Sequence, residues 1–142
     1  MNMIKKVSLW VLIAGYLAAG INHFYNPASY LRIIPPYIPY PNVANIVSGA
    51  LEIVLALLLI SAKTRPYAAW GIAVLLVAFL PVHITMIADA PLQLGDVTVT
   101  PLLAWIRLVL QPVLILWAWW YTNTTSNNKY YLKSNNLFCI VL

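Results

Sequence analysis

Two charged residues stand inside otherwise apolar stretches of this chain, and they set the chemistry it could do. Glu52 lies in Asn45-Ile-Val-Ser-Gly-Ala-Leu-Glu52, and Arg107 lies in Pro101-Leu-Leu-Ala-Trp-Ile-Arg107. An ionisable side chain in an apolar run long enough to cross a bilayer is costly, and it marks either a ligand site or an interhelical pair. Asn45, Ser48, Gly49 and Glu52 recur at i, i+3, i+4 and i+7, so they share one helix face, as do Arg107 and Gln111 at i and i+4. Asn22 and His23 close the first apolar run, and His83 sits in the third. The candidate site is therefore an outer-half polar pocket of Asn22, His23, Ser48, Glu52, His83, Arg107 and Gln111. Glu52 and Arg107 are expected to pair, which would leave neither charge alone in a low dielectric.

Three chemistries fit those residue types. A quinone carbonyl in an apolar cleft needs hydrogen-bond donors, which Arg107, His23 and Gln111 could supply. Two histidines at similar depth could ligate a haem iron, although the spacing of His23 and His83 argues only weakly for a bis-histidine cytochrome. Alternatively the Glu52–Arg107 pair does no more than lock helix packing, as interhelical polar contacts do at a gain of about 0.6 kcal/mol each. Asp89 and Asp96 flank a polar loop with no second carboxylate at metal-ligand spacing, so no metal site is expected.

The elements that must position these residues are four apolar runs, at 7–25, 43–61, 67–88 and 101–121. Each is about 20 residues, which at ~1.5 Å per residue spans a hydrocarbon core of ~30 Å. Proline-bearing breakers separate them: Asn26-Pro27, the segment Pro35-Pro36-Tyr-Ile-Pro39-Tyr-Pro41, and Lys63-Thr-Arg65-Pro66. Pro81 and Pro112 fall inside the third and fourth runs, where kinks are expected. The composition agrees, with 63% hydrophobic and 8% charged residues over 142 positions and a mean hydropathy of +0.83. The fold class expected is all-α, an integral membrane four-helix transmembrane bundle. One domain covers 1–121, and a polar tail rich in Asn, Ser, Thr and Lys covers 122–142.

Lys and Arg fix the expected orientation. Lys5, Lys6, Lys63, Arg65, Lys129 and Lys133 fall on one side of the four runs and only Arg32 on the other, which puts both termini and the tail in the cytoplasm of an inner-membrane protein. The net charge of +5 is scattered at the edges of apolar runs, so nucleic acid is not expected as a partner. The first run also has the make-up of a signal peptide, with Lys5-Lys6 before it and Ala18-Ala-Gly20 near its end, but it continues to full spanning length at Tyr25 and is read as a span. Cys139 is the only cysteine, which excludes an intramolecular disulfide or a CxxC relay within these residues.

The stretches Gly20-Ile-Asn-His-Phe-Tyr-Asn-Pro27, Ile33-Ile-Pro-Pro-Tyr-Ile-Pro-Tyr-Pro41, Ser48-Gly-Ala-Leu-Glu52 and Trp105-Ile-Arg-Leu-Val-Leu-Gln111 together resemble the DoxX family of small bacterial membrane proteins, over residues 7 to 121. That resemblance implies a four-helix membrane protein linked to quinone-dependent redox complexes, with His23, Glu52, Arg107 and Gln111 at motif positions. The function expected is a non-catalytic subunit or partner of a membrane redox, quinone-linked system. Such a chain would not be an enzyme on its own, although it could be a subunit of a quinone-linked oxidoreductase. The rival is a structural or assembly protein in which the buried pair locks the bundle. A proton or solute carrier fits less well, because the inner halves of the runs offer almost no ionisable residue.

Overall fold

A computed structural model describes residues 2–95 and 97–123. Six helices and one small hairpin follow in order: α1 (Met3–Tyr25), α2 (Pro27–Leu31), α3 (Pro41–Ile60), α4 (Arg65–Ala78), α5 (Leu80–Asp89), β1 (Leu92–Leu94), β2 (Val97–Val99) and α6 (Pro101–Trp119). Four helical units are long and apolar enough to cross a membrane: α1, α3, α4 continued by α5, and α6. The expectation of four helices is met, and their ends fall within a few residues of the apolar runs. The expectations for the tail and for Cys139 fall almost wholly outside the described residues.

Helix starts follow local chemistry. Asn2 caps α1 by accepting from the Lys5 amide at 3.0 Å, and Thr100 caps α6 through the Leu103 amide. Proline opens α2, α3 and α6, where its missing N–H is no loss. The third span breaks at Phe79, just before Pro81, and the broken turn is mended from outside: the buried Gln111 amide donates to the Leu76 carbonyl at 3.0 Å. By contrast α6 runs unbroken through Pro112, so of the two expected proline kinks only the first coincides with a helix break.

The all-α expectation needs one correction. The loop after α5 contains an antiparallel hairpin in register Leu92↔Val99, Gln93↔Thr98 and Leu94↔Val97, turning at Gly95 with φ +61. Leu-Gln-Leu and Val-Thr-Val alternate with the period of a half-buried strand. Leu92 and Val99 accordingly face a small core with Ile33, Met86 and Ala104, while Gln93 bonds Thr98 across the other face at 2.7 Å.

Helix α1 packs on α3, α3 on α4, and α4 and α5 on α6. The main core lies toward the end of the bundle that carries the chain termini, where Leu9, Leu12 and Ile13 meet Leu59, Ile72 and Ala118. There α1 and α6 are tied together: the Trp117 indole donates to Ser8 Oγ at 2.7 Å, the Tyr121 hydroxyl to the Lys5 carbonyl at 3.1 Å, and Lys5 Nζ to the Trp120 carbonyl at 2.8 Å. Most remaining large apolar side chains point outward, as a lipid-facing surface requires; Val11, Val74, Val109 and Leu116 are each more than half exposed.

Candidate functional site

The helix crossing that builds the site is made by two glycines. A Cβ on Gly20 would lie 2.8 Å from the Gly49 carbonyl oxygen, and one on Gly49 would lie 2.6 Å from His23 Cβ, so only glycine lets α1 and α3 come this close. That approach puts His23 against the polar face of α3. The Asn45 amide donates through Nδ2 to the His23 carbonyl at 3.0 Å, and its Oδ1 lies 2.7 Å from His23 Nδ1. Because a backbone carbonyl can only accept, the amide orientation is fixed and the proton on the ring belongs to Nδ1. His23 Nε2 is thereby turned toward Glu52, 3.6 Å from Oε2.

His23, Asn45 and Glu52 are all at least 94% buried. Glu52 Oε2 has no hydrogen-bond partner among the described residues, and neither does the buried His83 Nδ1. The carboxyl and the imidazole face each other just beyond hydrogen-bond range, and a small closure would be needed to join them. Tyr30 from α2 stacks on the His23 ring with centroids 3.7 Å apart, and its hydroxyl accepts from Asn22 Nδ2 at 2.9 Å. Burial pushes the Tyr30 phenol above its usual range, so it stays protonated at neutral pH.

These groups border a cavity of about 650 Å³, within the range of small-ligand sites. Its polar lining includes His23, Ser48, Glu52, His83, Arg107 and Gln111, and the rest is largely apolar, from Val11 and Gly15 on α1 to Leu110 and Leu114 on α6. Six of the seven expected site residues thus line one space. Asn22 does not; it holds Tyr30 and Asn26 instead.

The expected Glu52–Arg107 ion pair does not form. Among the described residues the ionic contact of Glu52 is with His23, and none joins Glu52 to Arg107. Helix α6 borders α4 and α5, so Arg107, which is exposed, lines the same cavity as Glu52 without reaching it, whereas the glycine crossing brings α1 into direct contact with α3. Matching depth along the helices is not enough when a void lies between them. The bis-histidine alternative, weak on spacing, meets a further obstacle at His23, whose Nδ1 is held by Asn45 and whose Nε2 faces the Glu52 carboxyl. Asn45 and Tyr30 were absent from the expected set. Asn45 was discernible as the first member of the Glu52 face, but only the short helix after Asn26-Pro27 brings Tyr30 back over His23.

A bundle of four spanning-length helices with an apolar exterior and a polar-headed internal cavity has the make-up of a multi-pass membrane protein. The chain belongs to the family described as a domain of unknown function, DUF8561, whose match covers residues 12–122 and so takes in most of α1, the other three helical units and every cavity-lining residue except Val11. That match overturns the resemblance to the DoxX family. Within the Ser48-Gly-Ala-Leu-Glu52 motif behind it, Gly49 is accounted for by the close approach of α1 to α3. No curated protein and no solved structure matches the chain.

Proposed function

We propose that this protein is a multi-pass protein of the bacterial inner membrane, with both termini in the cytoplasm, whose cavity binds the head of a lipid-soluble quinone. On this reading it serves as a non-catalytic subunit or partner of a quinone-linked membrane redox system. The observation that carries the proposal is the cavity itself, in which an apolar wall surrounds converging donors. Arg107, as a permanent cation, suits one carbonyl oxygen of a quinone, and the His23–Glu52 couple would suit the other once a proton is bound on Nε2 or the carboxyl.

The test is the lipid content of protein purified from native membranes in mild detergent. Solvent extraction and chromatography should recover isoprenoid quinone at near one equivalent from the wild type and clearly less from Arg107→Leu. An extract free of quinone, from protein that is folded, would overturn the proposal. A second reading has its own support, because the His23–Asn45–Glu52 trio lies at the tightest helix crossing and would lock α1 to α3 with no ligand at all.

A further inference from the structure

Where a ligand would enter is written in the cavity wall. At one end the cavity is roofed by α2 and the segment after it, through Tyr30, Ile33, Ile34 and Ile38. The roof is pinned, since Ile33 packs with Met86, Leu92, Val99 and Ala104 of α5, the hairpin and α6. At the other end the ties between α1 and α6, Ser8 to Trp117 and Lys5 to Trp120, close the floor. The side between α1 and α6 differs. Gly15 lines the cavity, is itself exposed, and a Cβ placed on it would meet nothing within 4 Å.

Gly15 therefore differs from Gly20 and Gly49, which are glycine because a neighbour is too close. It leaves open the wall that faces Leu110 and Leu114 of α6. It lies near the middle of α1, seven residues or about 10 Å above the Ser8 tie and eight residues or about 12 Å below His23. In a spanning helix that position is the middle of the hydrocarbon layer.

We infer that the cavity admits its ligand sideways from the bilayer through the slot between α1 and α6, so that the ligand is a single-chain amphiphile whose polar head reaches His23, Glu52 and Arg107 while its chain leaves past Gly15. The inference rests on the quinone reading and extends it: the head is selected by the polar groups, and the chain by an apolar exit that water-soluble compounds do not need. A cavity of about 650 Å³ holds a head and the start of a chain, so a longer chain has to project through the wall.

The test uses two probes with the same benzoquinone head, one bearing a decyl chain and one with no chain, measured by equilibrium dialysis against the detergent-purified full chain. Gly15→Trp and Ala19→Phe fill the slot from two positions, and Gly15→Ala serves as the small-residue control. The wild type and Gly15→Ala should bind both probes, whereas the two bulky variants should bind the decyl probe about tenfold more weakly and keep the chainless one within about twofold. If Gly15→Trp fails to fold, Ala19→Phe carries the comparison. Undiminished decyl binding in a folded bulky variant would overturn the lateral slot and leave the quinone reading intact. Equal loss of both probes in a variant with wild-type melting would put the head at Gly15 and overturn it too. Failure of the wild type to bind either probe would remove both readings.

Discussion

His23 stands between two partners that make opposite demands on it. Asn45 Oδ1 accepts a hydrogen bond from Nδ1, and Glu52 faces the nitrogen that remains. Their burial raises the stakes, because removing one member of a buried couple leaves the other unsatisfied. A double-mutant cycle on unfolding in detergent should thus find coupling of about 0.5–3 kcal/mol between His23→Gln and Glu52→Gln, and additivity within about 0.5 kcal/mol between Glu52→Gln and Arg107→Leu. Coupling confined to Glu52 and Arg107 would contradict the contacts described. The helix-face argument suffices to align Asn45 with Glu52, and both are buried, whereas Arg107, expected to be buried with Glu52, is exposed. The sequence was a poor guide to who touches whom. The partner of Glu52 depends on the distance between helix axes, which is set by glycines, and residue spacing carries no information on it.

At the scale of the element, three glycines in similar helical settings have different reasons to be there, and alanine tells them apart. Gly49→Ala drives a methyl into His23 Cβ at 2.6 Å and should lower stability by about 1–3 kcal/mol. Gly20→Ala should do the same against the Gly49 carbonyl. Gly15→Ala meets open space and should be neutral or stabilising by up to about 1 kcal/mol, because alanine is the better helix former. Melting curves of the three purified variants check this, and equal destabilisation at Gly15 would refute the open wall. The hairpin shows a different limit on legibility. Its Leu-Gln-Leu and Val-Thr-Val alternation is plain in the sequence, but three-residue strands are too short to be recognised until Ile33 and Met86 supply the surface they cover. The helix boundaries were far easier, since prolines and apolar length fix them within a few residues.

Among the described residues, cations collect at the end of the bundle where α1 begins and α6 ends. Arg65 donates to the Leu59 and Ile60 carbonyls at the end of α3, and Lys5 caps the Trp120 carbonyl at the end of α6 while lying 5.4 Å from the Trp120 and Tyr121 ring centroids. Positive charge at a helix C-terminus is favourable in itself, and it coincides here with the side that the distribution of Lys and Arg assigns to the cytoplasm. Reporter fusions at both ends should therefore read cytoplasmic and fusions within 26–42 or 89–100 should read external; an external signal from either terminus would invert the bundle.

The trio of His23, Asn45 and Glu52 is drawn wholly from α1 and α3, which precede the other two spanning units in chain order. If these helices insert in order, the most expensive groups in the protein meet their partners while α4, α5 and α6 are still unsynthesised, so a nascent hairpin already shields its own acid from lipid. Arg107 follows later, on a helix whose neighbours are α4 and α5. The polar couple is thus assembled before the helices that complete the chamber around it are made.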